Sequence, residues 1–367
     1  MKKVCLDSIC TKRTSTLRQK DLLPQGGYPV YGASGIVGYL DYYQFEEDYL
    51  SIIKDGAGVG RVQLCRGKSS VLGTLQPIIP KASVNISYLR FLLSELHLES
   101  YASGATIPHI YFRDYGKHIV ALPDCEGQAF ISCLFEVILT QIGNAERIIF
   151  KLDELIKSRF IEMFDQPQKA LPMVAVEDLA AAEKNALKAG PFGSALKKDS
   201  YVAEGYAVYG QEQVISGDET KILYHIPESK YEQLASCRVR PGDVLISLVG
   251  TAGKVLVLTD RCEEGIINPR LVKITFDQSR ILPRFFAVYF GQEETQLILQ
   301  HNSHGQTMNV LNLGMIRSLR VPVPSLSEQK TFLEFVKSVE AMKATTRQRL
   351  DRLNTLYDSL AQQYFAQ

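Results

Sequence analysis

The sequence predicts an α+β protein of two β-rich domains, each followed by a long helix, with the two helices forming an antiparallel coiled coil in a pseudo-twofold internal repeat. Three observations predict it. Residues 104–164 and 305–365, 61 residues each, align without a gap at an offset of 201, and self-similarity at a fixed offset marks a repeated architecture. Apolar residues in these blocks recur at alternating steps of four and three, the heptad period. Ahead of each block, the same order of strand-like runs and glycine turns occurs twice.

The matching positions of the blocks are Gly104/Gly305, Thr106/Thr307, Val120/Val321, Pro123/Pro324, Gln128/Gln329, Leu152/Leu353, Leu155/Leu356, Ser158/Ser359 and Phe164/Phe365. Spacing carries the repeat more than identity does.

In chain order, residues 4–9 (VCLDSI) and 174–179 (VAVEDL) read as the first strand of each domain. A basic tract follows in the first half, with Lys12, Arg13, Arg18 and Lys20; its counterpart is the longer segment 189–201 (AGPFGSALKKDSY). Both lead to a shared signature, 28–35 (YPVYGASG) and 206–213 (YAVYGQEQ), read as a short strand ending at glycine with a polar loop beyond. Glycine-punctuated hairpins come next, 50–62 (LSIIKDGAGVGRV) and 244–256 (VLISLVGTAGKVL), each with a cation, Arg61 or Lys254, just after its last glycine. The glycines 56, 58 and 60 lack the spacing and following helix of a nucleotide loop, and a turn with positive φ is the expectation. Residues 71–80 parallel 265–274, and short apolar helices are expected over 87–95 and 282–290.

Each repeated block carries a strand, 118–122 or 319–323, that reaches a proline, which lacks the donor a sheet interior needs. A long helix then begins. Its seam in the first copy is Ile131, Phe135, Ile138, Ile142, Ala145, Ile149, Leu152 and Ile156; in the second it is Phe332, Val336, Val339, Lys343, Thr346, Leu350, Leu353 and Tyr357. A stripe this narrow calls for another helix, and the other copy is the expected partner; two helices on separate cores are the alternative. Because one helix leads to the second domain and the other runs back from it, pairing side by side makes them antiparallel. From Glu126 to Phe164 the helix spans up to ~58 Å, the length of a spacer rod. Burial at ~1.5 to 3 kcal/mol per seam position holds helices that are marginal alone. Lys343 and Thr346, facing Ile142 and Ala145 in the repeat register, weaken the middle of the seam and set its alignment. The resulting domains are 1–123, helix 124–165, linker 166–172, 173–324 and helix 325–367.

The 367 residues suffice for two cores, and the 46% hydrophobic content is that of an ordinary soluble protein. The apolar runs fall short of a bilayer span, so a cytoplasmic location is expected. Seven cysteines without a C-x-x-C pair suggest neither a disulfide framework nor a zinc site. A net charge of +1 argues against binding nucleic acid by charge alone, though not against local basic faces. The single Asn-Pro, Asn268-Pro269, continues into Arg270 rather than into the catalytic loop of an adenine methyltransferase. No nucleophile elbow or carboxylate–lysine cluster appears, and His301 with His304 has no third ligand, so neither a catalytic residue nor a metal site is expected.

Residues 190–198 (GPFGSALKK) with 206–211 (YAVYGQ), 242–247 (GDVLIS) with 250–254 (GTAGK), and Gly305-Gln306-Thr307 leading to 321–329 (VPVPSLSEQ) together resemble a specificity subunit of a type I restriction-modification system. The first half repeats the scheme more loosely, without the Gly-Pro-Phe-Gly element and without a Pro-Leu-x-Glu-Gln opening to its helix. The resemblance implies two target-recognition domains that each read half of a split DNA site. It also implies that the helices dock two methyltransferase subunits, which bring S-adenosylmethionine and the catalytic residues, that a translocating nuclease subunit joins them, and that this chain binds no cofactor. Such contacts call for cations at phosphates and for amides, hydroxyls or Arg at base edges. The candidates are Lys12, Arg13, Arg18, Lys20, Tyr31, Ser34, Lys54, Arg61, Lys68 and His109 in the first half. In the second they are Ser194, Lys197, Lys198, Tyr209, Gln211, Lys254, Arg270, His304, Gln306 and Asn309. A scaffold binding proteins or glycans, and the recognition half of another split methyltransferase-nuclease, are the alternatives.

Overall fold

The computed structural model describes residues 1–104, 106–165, 171–192, 195–301 and 311–365. Two compact units are present, residues 1–149 with 345–367 and residues 150–344. Each contains part of both long helices, Cys125–Phe164 and Leu326–Phe365.

In the first unit, the apolar run β5 (Tyr49–Ile53) is buried along its whole length and is the inner strand of a four-stranded sheet. Its order is β2 (Cys10–Lys12), β8 (Leu75–Pro80), β5, β6 (Val62–Cys65). A second sheet joins β4 (Gly35–Leu40), β3 (Tyr28–Gly32) and β7 (Ser70–Val71), with β3 and β7 parallel. The ribbon of β1 (Lys2–Cys5) and β9 (Ile119–Leu122) leads into the first long helix.

The second unit repeats this plan. One sheet runs β11 (Leu187–Ala189), β18 (Leu271–Ile274), β15 (Val244–Ser247), β16 (Val255–Val257). The other runs β13 (His225–Ile226), β12 (Tyr206–Tyr209), β17 (Gly265–Ile267), β14 (Arg238–Val239), again with one parallel pair, β12 and β17. The ribbon pairs β10 (Met173–Ala175) with β19 (Arg320–Pro322). The short helices over Ile86–Ser94 and Pro283–Phe290 lie within a residue of the expected spans.

Two local expectations are corrected. Residues 4–9 and 174–179 are strand only as far as Cys5 and Ala175; Leu6–Ile9 and Val176–Leu179 are single helical turns. The apolar pairs Leu6/Ile9 and Val176/Leu179 are three residues apart, and burying both members takes a helical rather than a strand period. The polar loop expected after Gly210 is instead the helix Gln211–Ser216, opened by Gln213, whose side chain accepts the Gly210 N–H at 2.7 Å.

The seam positions are the buried or half-buried ones along both long helices. In the first unit Phe135 packs on Tyr357, ring centroids 5.1 Å apart, and Arg349 donates to Gln141 at 2.7 Å. In the second unit Phe160 packs on Phe332 at 5.7 Å, and Lys343 pairs with Asp153. Residue numbers rise on one helix as they fall on the other, so the pairing inside each unit is antiparallel. Lys343 therefore meets Asp153 rather than facing Ile142, because antiparallel packing reverses the repeat register.

The seam is deepest where it enters a globular core. Ile131 and Phe135 share the first unit's core with Ala361 and Phe365, while Phe160, Phe164, Phe332 and Val336 share the second unit's. This accounts for the composition of Cys125–Phe164, which, contrary to the sequence reading, is long and apolar enough to cross a membrane by length and composition alone. Its seam residues are covered by protein, while Phe130, Val137, Ile148 and Phe150 on the same helix stay exposed.

Two of the matching repeat positions, Gln128 and Gln329, have a common structural job. Gln128 is buried, accepts the Asn85 N–H at 2.8 Å and donates to Pro123 O at 3.0 Å and Ser83 O at 3.2 Å. Gln329 accepts the Leu282 N–H at 2.8 Å and donates to Pro324 O at 2.9 Å and Arg280 O at 3.0 Å. One amide thus ties the start of each long helix to the start of the short helix beside it, satisfying backbone groups that would otherwise be buried unpaired.

Candidate nucleic-acid interface

In each unit, loops from several strands gather at the end where the central strand leaves the sheet. In the first unit the turn after β5 has Gly56, Gly58 and Gly60 at φ of +88°, +81° and +90°, the left-handed region expected from the sequence. Around it, Lys54 N donates to Thr74 O at 3.1 Å, Gly73 N to Leu17 O at 2.8 Å and Leu72 N to Tyr31 O at 2.9 Å. These bonds gather Lys54, the Arg18 segment and Tyr31 around residues 72–74. Ser34 is exposed in the turn between β3 and β4, and Arg61 donates to Ala33 O beneath it, with Gln63 donating to Gly32 O at 3.1 Å. His109 Nδ1 lies 2.8 Å from Asp55 Oδ1 on the same turn, and Lys54 Nζ 3.9 Å from Asp55 Oδ2. Lys20 is exposed in the short turn after Arg18.

Other candidates of this unit lie elsewhere. Lys68 follows the far end of β6, where Cys65 pairs with Tyr49, so it belongs to the opposite end of the hairpin from Arg61. Beside it Arg66 is bound to Asp48 at 2.7 Å, and the N–H of Gly67, followed by Arg66, holds the Asp48 carboxyl below its usual pKa. Lys12 is exposed on the edge strand β2. Arg13 lines a groove with Glu46, Glu47 and Asp48, an acidic setting that competes with phosphate.

The second unit builds its loop end around residues 268–270. Gly190 N donates to Leu271 O at 2.9 Å and Leu248 N to Arg270 O at 2.9 Å, which bracket the segment from both sides. A Cβ on Gly190 would fall 1.8 Å from Asn268 O, so only glycine permits this approach. Arg270 is exposed and donates from Nη1 to the Gln211 side chain at 3.4 Å. Gln211 is itself largely buried, with its amide donating to Val249 O, which makes it a support for Arg270 more than a free reader. Lys254 is exposed after the turn from Ser247, and Lys197 and Lys198 are exposed at a short turn.

Tyr209 does not belong to the interface. It is fully buried, donates to Glu263 O at 3.1 Å and accepts the Glu263 N–H at 2.9 Å, and burial pushes its phenol pKa up. Its strand is central, between β13 and β17; Tyr31, at the same place in the signature, is half-buried, with its hydroxyl accepting the Arg66 N–H at 3.3 Å. Ser194, His304, Gln306 and Asn309 lie outside the described residues. Sequence reasoning passed over Gln63, which props the first unit's turn, and Phe192, 90% exposed within the quoted Gly-Pro-Phe-Gly motif. A phenylalanine flanked by proline and glycine was the available signal.

Exposed cations carried on turns beside a sheet, and present twice along the chain, define a loop-presenting recognition protein. Residues 1–153 and 194–355 match the family described as type I restriction modification DNA specificity domain, and the chain belongs to that family. It is similar to the type I restriction enzyme MjaVIII specificity subunit of Methanocaldococcus jannaschii, 22% identical over 334 residues, 84% of this chain and 76% of that protein. It is also similar to the EcoBI specificity subunit of Escherichia coli, 23% identical over 137 residues, 36% of this chain and 29% of that protein. The fold matches the crystal structure of a type I restriction-modification S subunit from M. genitalium with a TM-score of 0.62 at 15% identity, over 99% of this chain and 96% of that one. A second solved chain, from work on complex assembly and conformational transition of the type I R-M system, matches with a TM-score of 0.59 at 16% identity, over 99% and 97%. The chain is thus a specificity subunit, the non-catalytic component of a type I complex that works with DNA and with other subunits.

Proposed function

We propose that each loop end reads one part of a bipartite duplex target, and that the long helices dock two methyltransferase subunits. The observation that carries the reading is the recurrence of one architecture, a bracketed segment flanked by an exposed arginine or lysine, in two units whose loops differ. A common frame with divergent loops suits two different half-sites, with phosphate contacts fixing position and loop side chains reading bases. For docking, the first long helix keeps Phe130, Val137 and Ile148 exposed within the first unit, apolar surface beyond its seam. In this reading S-adenosylmethionine belongs to the methyltransferase subunits, a translocating nuclease subunit completes the complex, and the assembly is cytoplasmic.

Co-expression with the cognate methyltransferase, followed by single-molecule mapping of methylated adenines, tests the proposal. A motif of two short specified blocks around an unspecified spacer is expected. A continuous motif, or no methylation, overturns it. Lys197→Ala with Lys198→Ala is then expected to weaken binding to that motif and to lower the slope of log K against log salt by about 2, near 0.9 per lost phosphate contact. Unchanged affinity at two salt concentrations removes this loop from the interface.

A further inference from the structure

We propose that Phe192 inserts into the DNA duplex, stacking on or wedging between bases of the half-site read by the second unit; this rests on the DNA-reading function proposed above. Phe192 is 90% exposed, more than any other large apolar side chain named as exposed among the described residues, and such a ring retains its tendency to leave water. The loop that carries it is anchored close by on both sides. Gly190 is seated against the Asn268 carbonyl, Pro191 is buried, and Leu196 is buried in the unit's core. The Phe192 carbonyl also accepts the Ala195 N–H at 2.8 Å. A ring held this way loses little further backbone freedom when it engages a partner.

The surroundings favour DNA over a protein partner. Gly190 contacts the segment that presents Arg270, and the exposed Lys197 and Lys198 follow the same loop. An exposed ring on a loop that continues into two exposed lysines suits a base step with its phosphates, since apolar wedges beside cations are the side chains that unstack and kink a duplex. The first unit has no Gly-Pro-Phe-Gly segment, so the device belongs to one half-site alone.

The test uses the full chain assembled with its methyltransferase subunits and a duplex carrying the mapped motif, with 2-aminopurine placed at successive positions of both half-sites. The wild-type complex is expected to raise 2-aminopurine fluorescence at one step apart from the methylated adenine. Phe192→Ala is expected to abolish that signal and weaken binding about 5- to 150-fold, the range of a single base–aromatic stack. The salt slope should stay unchanged, because an apolar contact releases no counterions. Phe192→Trp should keep the signal. If the wild-type complex binds and methylates its motif while Phe192→Ala binds equally well, the proposal is overturned and the DNA-reading function stands. If Phe192→Ala instead loses methyltransferase subunits on size exclusion without a change in DNA affinity, the ring is a protein contact and the proposal is likewise overturned. A wild-type complex that binds no specific DNA removes both readings.

Discussion

The two loop ends differ in how firmly their cations are held. In the first unit Arg61 is tied to the Ala33 carbonyl and Lys54 lies beside Asp55, so two of its cations brace the turns they decorate. In the second, Lys197, Lys198 and Lys254 form no ion pair among the described residues, and Arg270 makes its side-chain bond to a neutral amide. The sheets beneath are built alike. The difference shows that the frame depends on an apolar pattern and backbone bonds that many sequences satisfy, which leaves the loops free to diverge without cost to the fold.

The largest expected effect tests whether the frames are equivalent. Phe135 and Phe332 are fully buried seam residues, one in each unit's core. Phe135→Ala and Phe332→Ala should each cost about 3–5 kcal/mol. Hydrogen exchange should locate the first loss in residues 1–149 with 345–367 and the second in residues 150–344. A uniform loss of protection from either variant would mean that the units do not unfold separately.

Next come the paired glutamines. Replacing Gln128 or Gln329 by Leu strands one backbone N–H and two carbonyls, at about 1–3 kcal/mol for each unsatisfied group. Because the two networks bond the same backbone positions, the two variants should lower stability to denaturant by equal amounts within ~0.5 kcal/mol. A marked inequality would show that the repeat is preserved in sequence but not in energy.

The loop ends themselves are separated by Arg270→Ala and Arg61→Ala. The exposed Arg270 should read a base, so its loss should relax one position of the motif, worth about 1–3 kcal/mol of discrimination. Arg61, engaged with Ala33, should act on the turn, and its loss should weaken the other half-site evenly. Methylation mapping of both variants checks this, and relaxation at a single position by Arg61→Ala would erase the contrast.

Much of this was legible from the sequence, for identifiable reasons. The seam was readable because heptad spacing survives substitution, and Gln128 and Gln329 stood out as matches without showing what they bond. Tyr31 and Tyr209 occupy the same place in one signature, yet the first is half-buried and the second sealed in the core. Alternation along a strand cannot reveal this, since Ala207, Val208 and Tyr209 are buried in succession, and Tyr209 bonds to Glu263, distant in the chain. The helical turns at Leu6 and Val176 were missed because a four-residue helix leaves too short a period to distinguish from a strand.

The smallest expected effect concerns what aligns the two long helices. In the second unit the alignment joins two charges, Lys343 and Asp153; in the first it joins the Arg349 cation to the neutral Gln141 amide oxygen. Lys343 is 14% exposed and Asp153 50%, so solvent screens the pair and the coupling should be about 0.2–1 kcal/mol in a double-mutant cycle of Lys343→Met and Asp153→Asn. Salt provides the second axis, since the Debye length shrinks from about 10 Å at 0.1 M to 3 Å at 1 M. The Lys343–Asp153 coupling should fall across that range, while a parallel cycle on Arg349 and Gln141, with only one formal charge, should stay nearly flat. Equal salt dependence would place the alignment in the apolar seam alone, and Lys343 would then be a tolerated interruption rather than a register mark.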